Sequence, residues 1–305
     1  MAKRKAIDRV GSLDGEAVAR ILSLAERIQE SPGDYARALE RRTLALLFMQ
    51  ESTRTRVGFT VAMHKLGGTT VEVTKSRTHF TMTQAESLAD TVRVVSAYAD
   101  VLALRHPDAG ALEIAMENCD VPLINCGNGT DEHPTQALVD AFAIKKAFGA
   151  IENLRVQIVG DLASMRAAHS LFILLTRFPK VRVELVSPPE KRMPRGYLET
   201  AGPGSASVME SDTFDPATAD VVYMAGYPRR EAESREGDAT GGRFLLTVEK
   251  AKSIKPGAVI LSPLPRIDEI ERGVDSLPQA QYFRQSARGL FVRMAVLLFL
   301  LADTK

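Results

Sequence analysis

The sequence predicts an α/β protein of two doubly wound parallel-sheet domains linked by helices, with a C-terminal helix packing back on the first domain. Short apolar runs alternate with segments whose apolar residues recur at helical spacing, and this alternation indicates βαβ units with parallel strands. The alternation restarts after Gly149, and a chain of 305 residues suits two domains of about 150 residues each. We therefore expect one domain over residues 1–149, to which a helix over 285–305 returns, and another over 150–284.

The first predicted domain opens with a helix over residues 13–30, where apolar positions recur every three or four residues and Ser12 and Asp14 are candidate caps. Apolar runs then predict strands over 44–49, 69–73, 101–104 and 121–125. Helical spacing predicts a helix that begins after Ser52 and ends at Gly67-Gly68, and further helices over 86–97, 109–117 and 135–148.

In the second predicted domain, apolar runs indicate strands over 156–159, 181–186, 221–224 and 259–261. One helix is expected after Gly160-Asp161 and through residues 172–175, and two more over 248–254 and over the apolar segment 290–302. Residues 187–219 and 226–247 are richer in Pro, Gly and charged residues. We therefore expect both to be long loops near the ligand.

Charge and composition exclude several classes of protein. The 39 Lys and Arg against 38 Asp and Glu leave a net charge of +1, which argues against nucleic-acid binding. Aromatic residues make up 6% of the chain and Trp is absent, so a base-stacking platform is not expected. No segment reaches the ~20 apolar residues that a membrane span requires.

The N-terminus and the cysteines point to a cytoplasmic protein. The basic residues after Met1 are not followed by the apolar stretch of a secretory signal. Cys119 and Cys126 are too few for a disulfide framework or a four-cysteine zinc site. We expect two reduced thiols, no metal and no cofactor.

A run of hydroxyl and guanidinium side chains, Ser52, Thr53, Arg54, Thr55 and Arg56, lies between an apolar strand and an amphipathic helix. A helix N-terminus offers unpaired N–H groups and partial positive charge, and Arg matches the geometry of phosphate oxygens. A helix capped by Ser52 with solvated arginines is the alternative. Five such residues in succession favour an anion site.

Two later segments also follow predicted strands, and they carry Arg105, His133 and Gln136. Because ligands of open α/β sheets bind at the carboxyl ends of strands, these side chains are placed to join the anion site. Arg105 and His133 suit polarisation of a carbonyl oxygen, and Gln136 suits recognition of an amide. Each alone fits a structural histidine or a surface arginine equally well.

Six motifs in order resemble the aspartate/ornithine carbamoyltransferase family, and its aspartate branch most closely. They are Ser-Thr-Arg-Thr-Arg (52–56), Leu-Arg-His-Pro (104–107), His-Pro-Thr-Gln-Ala-Leu-Val-Asp (133–140), Val-Gly-Asp-Leu (159–162), Ser-Pro-Leu-Pro-Arg-Ile-Asp-Glu (262–269) and Tyr-Phe-Arg-Gln (282–285). The resemblance implies carbamoyl phosphate bound by the first domain and an acceptor amine bound mainly by the second. It also implies a homotrimer with active sites shared between subunits.

The same resemblance implies roles for individual residues. Phosphate would be bound by Ser52, Thr53, Arg54 and Thr55. The carbamoyl carbonyl would be held by Thr55, Arg105 and His133. The carbamoyl amide would be held by Gln136 and the backbone carbonyl of Leu264, which precedes Pro265. Arg166 matches an arginine that binds an acceptor carboxylate, and the reaction requires no metal or covalent nucleophile.

Four family positions are substituted. A loop within residues 74–85 would deliver a Ser and a Lys to a neighbouring subunit, yet these positions hold Phe80 and Gln84. Candidate replacements for the missing charge are Lys75, Arg77 and His79. Gly226 stands where the aspartate branch has an Arg that binds an acceptor carboxylate, with Arg229 and Arg230 following, and Ser262 stands where the branch has His.

These substitutions leave two hypotheses. The first is a carbamoyltransferase of the aspartate type whose acceptor is either aspartate or an amine with a different side chain and one carboxylate. The second is a catalytically silent homologue with a structural or regulatory role. A dinucleotide-binding dehydrogenase is disfavoured, because residues 160–165 lack Gly-x-Gly-x-x-Gly. The sequence leaves open whether a non-catalytic partner chain joins the assembly.

Overall fold

The structure is a computed structural model that describes residues 5–74, 86–201, 206–226 and 241–302. The chain divides into two compact units. The first unit comprises residues 1–138 and 288–305, and the second comprises 139–287.

A parallel five-stranded sheet forms the centre of the first unit. Its strands are β1 (Ala6–Ile7), β2 (Thr43–Phe48), β3 (Thr69–Thr74), β4 (Val101–His106) and β5 (Leu123–Asn128), in the order β1-β5-β4-β2-β3. The accompanying helices are α1 (Gly15–Glu30), α2 (Thr53–Lys65), α3 (Leu88–Ser96), α4 (Ala111–Asn118) and α5 (Pro134–Phe148). The last of these begins in the first unit and ends in the second.

The second unit repeats this architecture with its own parallel sheet. Its strands are β6 (Arg155–Gly160), β7 (Val181–Val186), β8 (Ala206–Ser211), β9 (Val221–Gly226) and β10 (Val259–Leu261), in the order β10-β9-β6-β7-β8. Its helices are α6 (Arg166–Leu175), α7 (Arg195–Leu198) and α8 (Val248–Ser253). The predicted fold class, two doubly wound parallel-sheet domains, is confirmed.

The C-terminal helix α9 (Tyr282–Leu301) returns the chain to the first unit, as predicted. Its Phe299 ring lies 5.7 Å from the guanidinium carbon of Arg20 on α1. The guanidinium carbon of Arg293 lies 5.9 Å from the ring of Phe59 on α2. Within the described ranges, no helix combines the length and apolarity needed to cross a membrane.

The prediction of a loop throughout residues 187–219 was wrong, because this segment contains α7 and β8. Strand β8 is one of the two edge strands of its sheet, and most of its side chains are exposed. An exposed edge strand needs no continuous apolar run, so hydrophobic patterning does not reveal it. In the other predicted loop, 226–247, residues 227–240 lie outside the described part of the chain.

Each sheet reverses its winding direction once, and the reversal determines where polar side chains gather. In the first sheet β2 lies between β3 and β4, and in the second β6 lies between β7 and β9. The crossovers on the two sides of such a strand diverge, which leaves a crevice at the carboxyl ends of the strands. The segments after β2 and β4 therefore meet in one unit, and those after β6 and β9 meet in the other.

Gly160 ends β6 where it pairs with Gly226 of β9, and it tolerates no side chain. Its φ is +142°, and a Cβ atom there would lie 2.5 Å from the carbonyl oxygen of Gly226. Because both the backbone conformation and the contact oppose a methyl group, Gly160→Ala is expected to lower the free energy of unfolding by about 2–4 kcal/mol. Urea denaturation measures this change.

Gly257→Ala is the matched control for that substitution. Gly257 has φ +82° in the same unit, but a Cβ atom there would have open space around it. Its substitution should lower the unfolding free energy by only about 1 kcal/mol, from backbone conformation alone. Equal losses in the two variants would contradict the steric argument at Gly160.

Candidate functional site

The N-terminus of α2 has the features expected of an anion site. Ser52 occupies the N-cap position with extended backbone (φ −158°, ψ 106°), but its side chain makes no capping hydrogen bond. The first turn of α2 contains no acidic residue. The alternative in which the Ser52 side chain caps the helix is therefore not what the structure shows. The hydroxyl group and the positive end of the helix dipole remain available to a ligand.

Two guanidinium groups near this helix end repel each other. Partial burial lowers the pKa of Arg54. Burial also lowers the pKa of Arg105, and the positive charge of Arg54 lowers it further, while the interaction with Cys126 acts in the opposite direction. Two like charges held close together in a partly desolvated crevice favour binding of an anion between them.

The hydrogen bonding of Arg105 also leaves a donor available. Its Nη1 donates to the backbone carbonyl of Cys126 at 3.1 Å, which fixes the guanidinium at the end of β4. Its Nε is buried and meets no hydrogen-bond acceptor among the described residues. A buried donor without an acceptor costs about 1–3 kcal/mol, and a ligand oxygen would remove that cost.

His133 lies beside the same helix end. It is buried, and its Nε2 lies 3.5 Å from Oγ1 of Thr55 on α2. Its Nδ1 lies 3.2 Å from Oγ1 of Thr135. The two hydroxyl groups fix the orientation of the imidazole ring. Gln136 lies in the first turn of α5, where its backbone N–H donates to the His133 carbonyl at 2.9 Å.

The first unit thus brings together four side chains of the sequence-predicted anion site, in two pairs. Thr55 contacts His133 directly, and Arg54 acts electrostatically on Arg105. Sequence reasoning missed the two groups that orient this site, the Cys126 carbonyl and the Thr135 hydroxyl. The presence of Thr135 between His133 and Gln136 was the available signal, whereas a backbone carbonyl leaves no signal in the sequence.

In the second unit, Arg166 is the first residue of α6, and the loop before it is held in place by a buried carboxylate. Asp161 Oδ1 accepts hydrogen bonds from the backbone N–H groups of Ala163 and Ser164, both at 3.1 Å. Its Oδ2 lies 3.3 Å from the ammonium of Lys191. These bonds fix where α6 starts, and therefore where Arg166 lies.

Gly226 ends β9 beside a carboxylate that sequence reasoning did not single out. A Cβ atom on Gly226 would lie 3.0 Å from Oε1 of Glu269, and its φ of +85° also favours glycine. Glu269 is buried, and its Oε2 accepts from the backbone N–H of Ile267 at 2.8 Å. Where the family resemblance implies an arginine, this chain therefore has a glycine in close contact with an acidic side chain.

The segment after β10 carries Ser262, Leu264 and Pro265. Ser262 is buried, and its Oγ accepts a hydrogen bond from the Leu264 backbone N–H at 3.2 Å. Leu264 has φ +52°, and the peptide bond to Pro265 is cis.

Several predicted positions lie outside the described residues. They are Lys75, Arg77, His79, Phe80, Gln84, Arg229 and Arg230. Among the residues that the structure does describe, no group of three or more His, Cys, Asp or Glu side chains could hold a metal ion. A reaction without metal or cofactor stays a prediction.

Two family models match consecutive parts of the chain. The model of the aspartate/ornithine carbamoyltransferase carbamoyl-phosphate-binding domain matches residues 5–146. The model of the Asp/Orn-binding domain of the same family matches residues 152–300.

Individual relatives match over nearly the whole chain. The aspartate carbamoyltransferase catalytic subunit of Methanococcus maripaludis is 40% identical over 292 residues, which is 95% of each chain. That of Thermoplasma volcanium is 38% identical and covers 99% of this chain and 100% of its own.

Among solved structures, aspartate transcarbamoylase from Trypanosoma cruzi superimposes with a TM-score of 0.91 at 32% identity, covering 98% of this chain and 97% of that one. The catalytic subunit from M. jannaschii superimposes with a TM-score of 0.87 at 35% identity over 99% of both chains. Together with the motifs, the matching parallel sheets and the grouping of Thr55, Arg105 and His133, these similarities show that the chain belongs to the aspartate/ornithine carbamoyltransferase family.

Proposed function

We propose that this protein transfers the carbamoyl group of carbamoyl phosphate to the amine of aspartate and releases phosphate. The observation that carries the proposal is the guanidinium of Arg105. It has a buried, unused Nε donor and is repelled by the charge of Arg54. The charge of a small anion would offset the repulsion, and a carbonyl oxygen on the same anion would accept a hydrogen bond from Nε.

Relatives support aspartate as the acceptor. The T. cruzi enzyme has been solved with carbamoyl phosphate and aspartate, and the M. maripaludis relative is an aspartate carbamoyltransferase catalytic subunit. They give no support to a different acceptor amine or to a silent homologue.

In the first unit, the phosphate group would be bound by residues at the start of α2, with Arg54 neutralising its charge. These residues are Ser52, Thr53, Arg54 and Thr55. The first domain, residues 1–149, would thus be the carbamoyl-phosphate domain.

The chemistry needs charge stabilisation more than bond-making side chains. The lone pair of the uncharged amine forms a C–N bond to the carbamoyl carbon, and the carbonyl electrons move onto oxygen. As the oxyanion re-forms the carbonyl, the C–O bond to phosphate breaks, phosphate leaves with the electron pair of that bond, and the leaving phosphate takes the proton that the amine gives up. Thr55, Arg105 and His133 would donate hydrogen bonds to the oxyanion, and such donors act most strongly in a desolvated site.

The remaining assignments concern the carbamoyl amide and the acceptor. Gln136 and the backbone carbonyl of Leu264, which precedes Pro265, would hold the amide. Arg166 would bind an acceptor carboxylate. The second domain, residues 150–284, would thus be the acceptor domain.

His133→Ala is expected to lower kcat by about 10²–10³-fold, the usual effect of removing one oxyanion donor. The measurement is formation of carbamoyl-aspartate from carbamoyl phosphate and aspartate. His64→Ala is the matched control, because His64 is an exposed histidine in α2 that contacts Thr70. A His133→Ala variant with wild-type kcat would contradict the role given to His133.

The same assay decides the acceptor. Gly226 faces the carboxylate of Glu269 instead of supplying an arginine, and this favours a second candidate, an amino acid with a single carboxylate. A panel of amines with carbamoyl phosphate should give the highest kcat/KM with aspartate. A higher value with a monocarboxylic amino acid would overturn the choice of aspartate, and no phosphate release with any amine would support the silent homologue.

Inorganic phosphate should stabilise the protein through the site at α2. At 100 times its Kd, phosphate is expected to raise Tm by roughly 5 °C, which corresponds to about 2.7 kcal/mol of linkage. Arg54→Met should abolish this rise. Arg56→Met is the control, since Arg56 lies in the same helix but pairs with Glu72 at 3.3 Å, and it should keep the rise. Equal loss in both variants would mean non-specific ion binding.

We further propose that the chain assembles as a homotrimer with shared active sites. The first unit exposes valine side chains on adjacent elements, Val57 (49% exposed) and Val61 (36%) on α2 and Val71 (45%) on the edge strand β3. Exposed apolar side chains on neighbouring elements suit an interface with further copies of the chain. A non-catalytic partner chain and a cytoplasmic location stay predictions.

Sedimentation equilibrium should give the mass of three chains for the wild type. The double variant Val57→Asp with Val61→Asp should sediment as a lighter species and lose activity, because a charge in an apolar interface opposes association. Val208→Asp, at an exposed valine on β8, should remain trimeric. A wild-type monomer with full activity would refute the trimer.

A further inference from the structure

A buried carboxylate in the second unit anchors a chain of hydrogen bonds that ends at Leu264. Asp140 on α5 is fully buried, as are Tyr223 on β9 and Gln285 on α9. Its Oδ2 accepts from the Tyr223 hydroxyl at 2.8 Å, and its Oδ1 accepts from Nε2 of Gln285 at 2.5 Å. Three elements of the unit thus meet at one carboxylate.

The carboxylate dictates which way the Gln285 amide faces. An amide nitrogen only donates hydrogen bonds, and the Nε2 of Gln285 donates to the Asp140 carboxylate. Its carbonyl Oε1 then faces the other way and accepts from the backbone N–H of Ser262 at 3.0 Å. Burial, and then the neighbouring charge of Asp140, raise the pKa of Tyr223, so its hydroxyl remains a donor.

Ser262 connects Gln285 to Leu264. The Ser262 Oγ accepts from the backbone N–H of Leu264 at 3.2 Å. Leu264 has a left-handed backbone (φ +52°), a conformation that costs a non-glycine residue about 1–2 kcal/mol. Such a conformation persists only where surrounding contacts hold it, and the bonds from Gln285 and Ser262 are such contacts.

We propose that Gln285, oriented by the carboxylate of Asp140, is a positioning residue that holds the backbone carbonyl of Leu264 where it accepts from the carbamoyl amide. The inference rests on the proposed function, in which this carbonyl recognises the amide of carbamoyl phosphate. The Leu264 carbonyl would distinguish carbamoyl phosphate from inorganic phosphate. Carbamoyl phosphate carries the amide that Leu264 would recognise, whereas inorganic phosphate has no amide.

Gln285→Met removes both amide hydrogen bonds while keeping the length of the side chain. It is expected to raise KM for carbamoyl phosphate about tenfold, since the buried N–H of Ser262 loses its acceptor and Leu264 loses its support. The inhibition constant of inorganic phosphate should stay within about twofold of wild type. A general loss of structure would move both constants, so the ratio of KM to the inhibition constant reports positioning. If Gln285→Met fails to fold, Ser262→Ala serves as the test. It removes the acceptor of the Leu264 N–H and should shift the ratio in the same direction.

Tyr223→Phe is the matched control. It removes the other hydrogen bond to Asp140 at an equally buried position and leaves the contact between Gln285 and Ser262 in place. It should lower Tm without changing the ratio. An unchanged ratio in both Gln285→Met and Ser262→Ala, or an equal shift in Tyr223→Phe, would overturn the inference while the proposed function stands. A wild-type protein that transfers no carbamoyl group to any amine would overturn both.

Discussion

Parallel pairing of β2 with β4 is the constraint on which the candidate site depends. Parallel strands end at the same edge of a sheet, and the crossovers diverge on the two sides of β2. The α2 N-terminus and Arg105 are therefore held together although they lie far apart in sequence. The second unit applies the same rule at β6 and β9, where Gly160 pairs with Gly226.

The electrostatics of the first unit follow from this placement. Arg54 and Arg105 lie close enough for the charge of one to lower the pKa of the other. In water this repulsion would be screened, but partial burial preserves it. In the proposed function, an anion bound at this site would offset the repulsion between the two guanidinium groups.

In the second unit, buried carboxylates hold the segments that carry the candidate binding residues. Asp161 shapes the loop before Arg166 through two backbone N–H groups, and Asp140 orients Gln285 and hence Ser262. Burying a carboxylate oxygen without a partner is costly, so the hydrogen bonds and ion pair that these oxygens make favour one arrangement over others. Glu269 is a third buried carboxylate, and it lies beside Gly226, where the resemblance implied an arginine.

The sequence by itself determined the fold class and the return of the C-terminal helix, because apolar periodicity and motif spacing are local properties. The residues of the anion site stay a prediction of the same motifs. The sequence did not reveal β8, whose exposed edge position needs no apolar run. Only the tertiary structure decided that the Ser52 side chain does not cap α2, that the Cys126 carbonyl holds Arg105, and that Glu269 faces Gly226. These are contacts between segments distant in sequence, or choices among hydrogen-bond partners, and they are settled by packing in three dimensions.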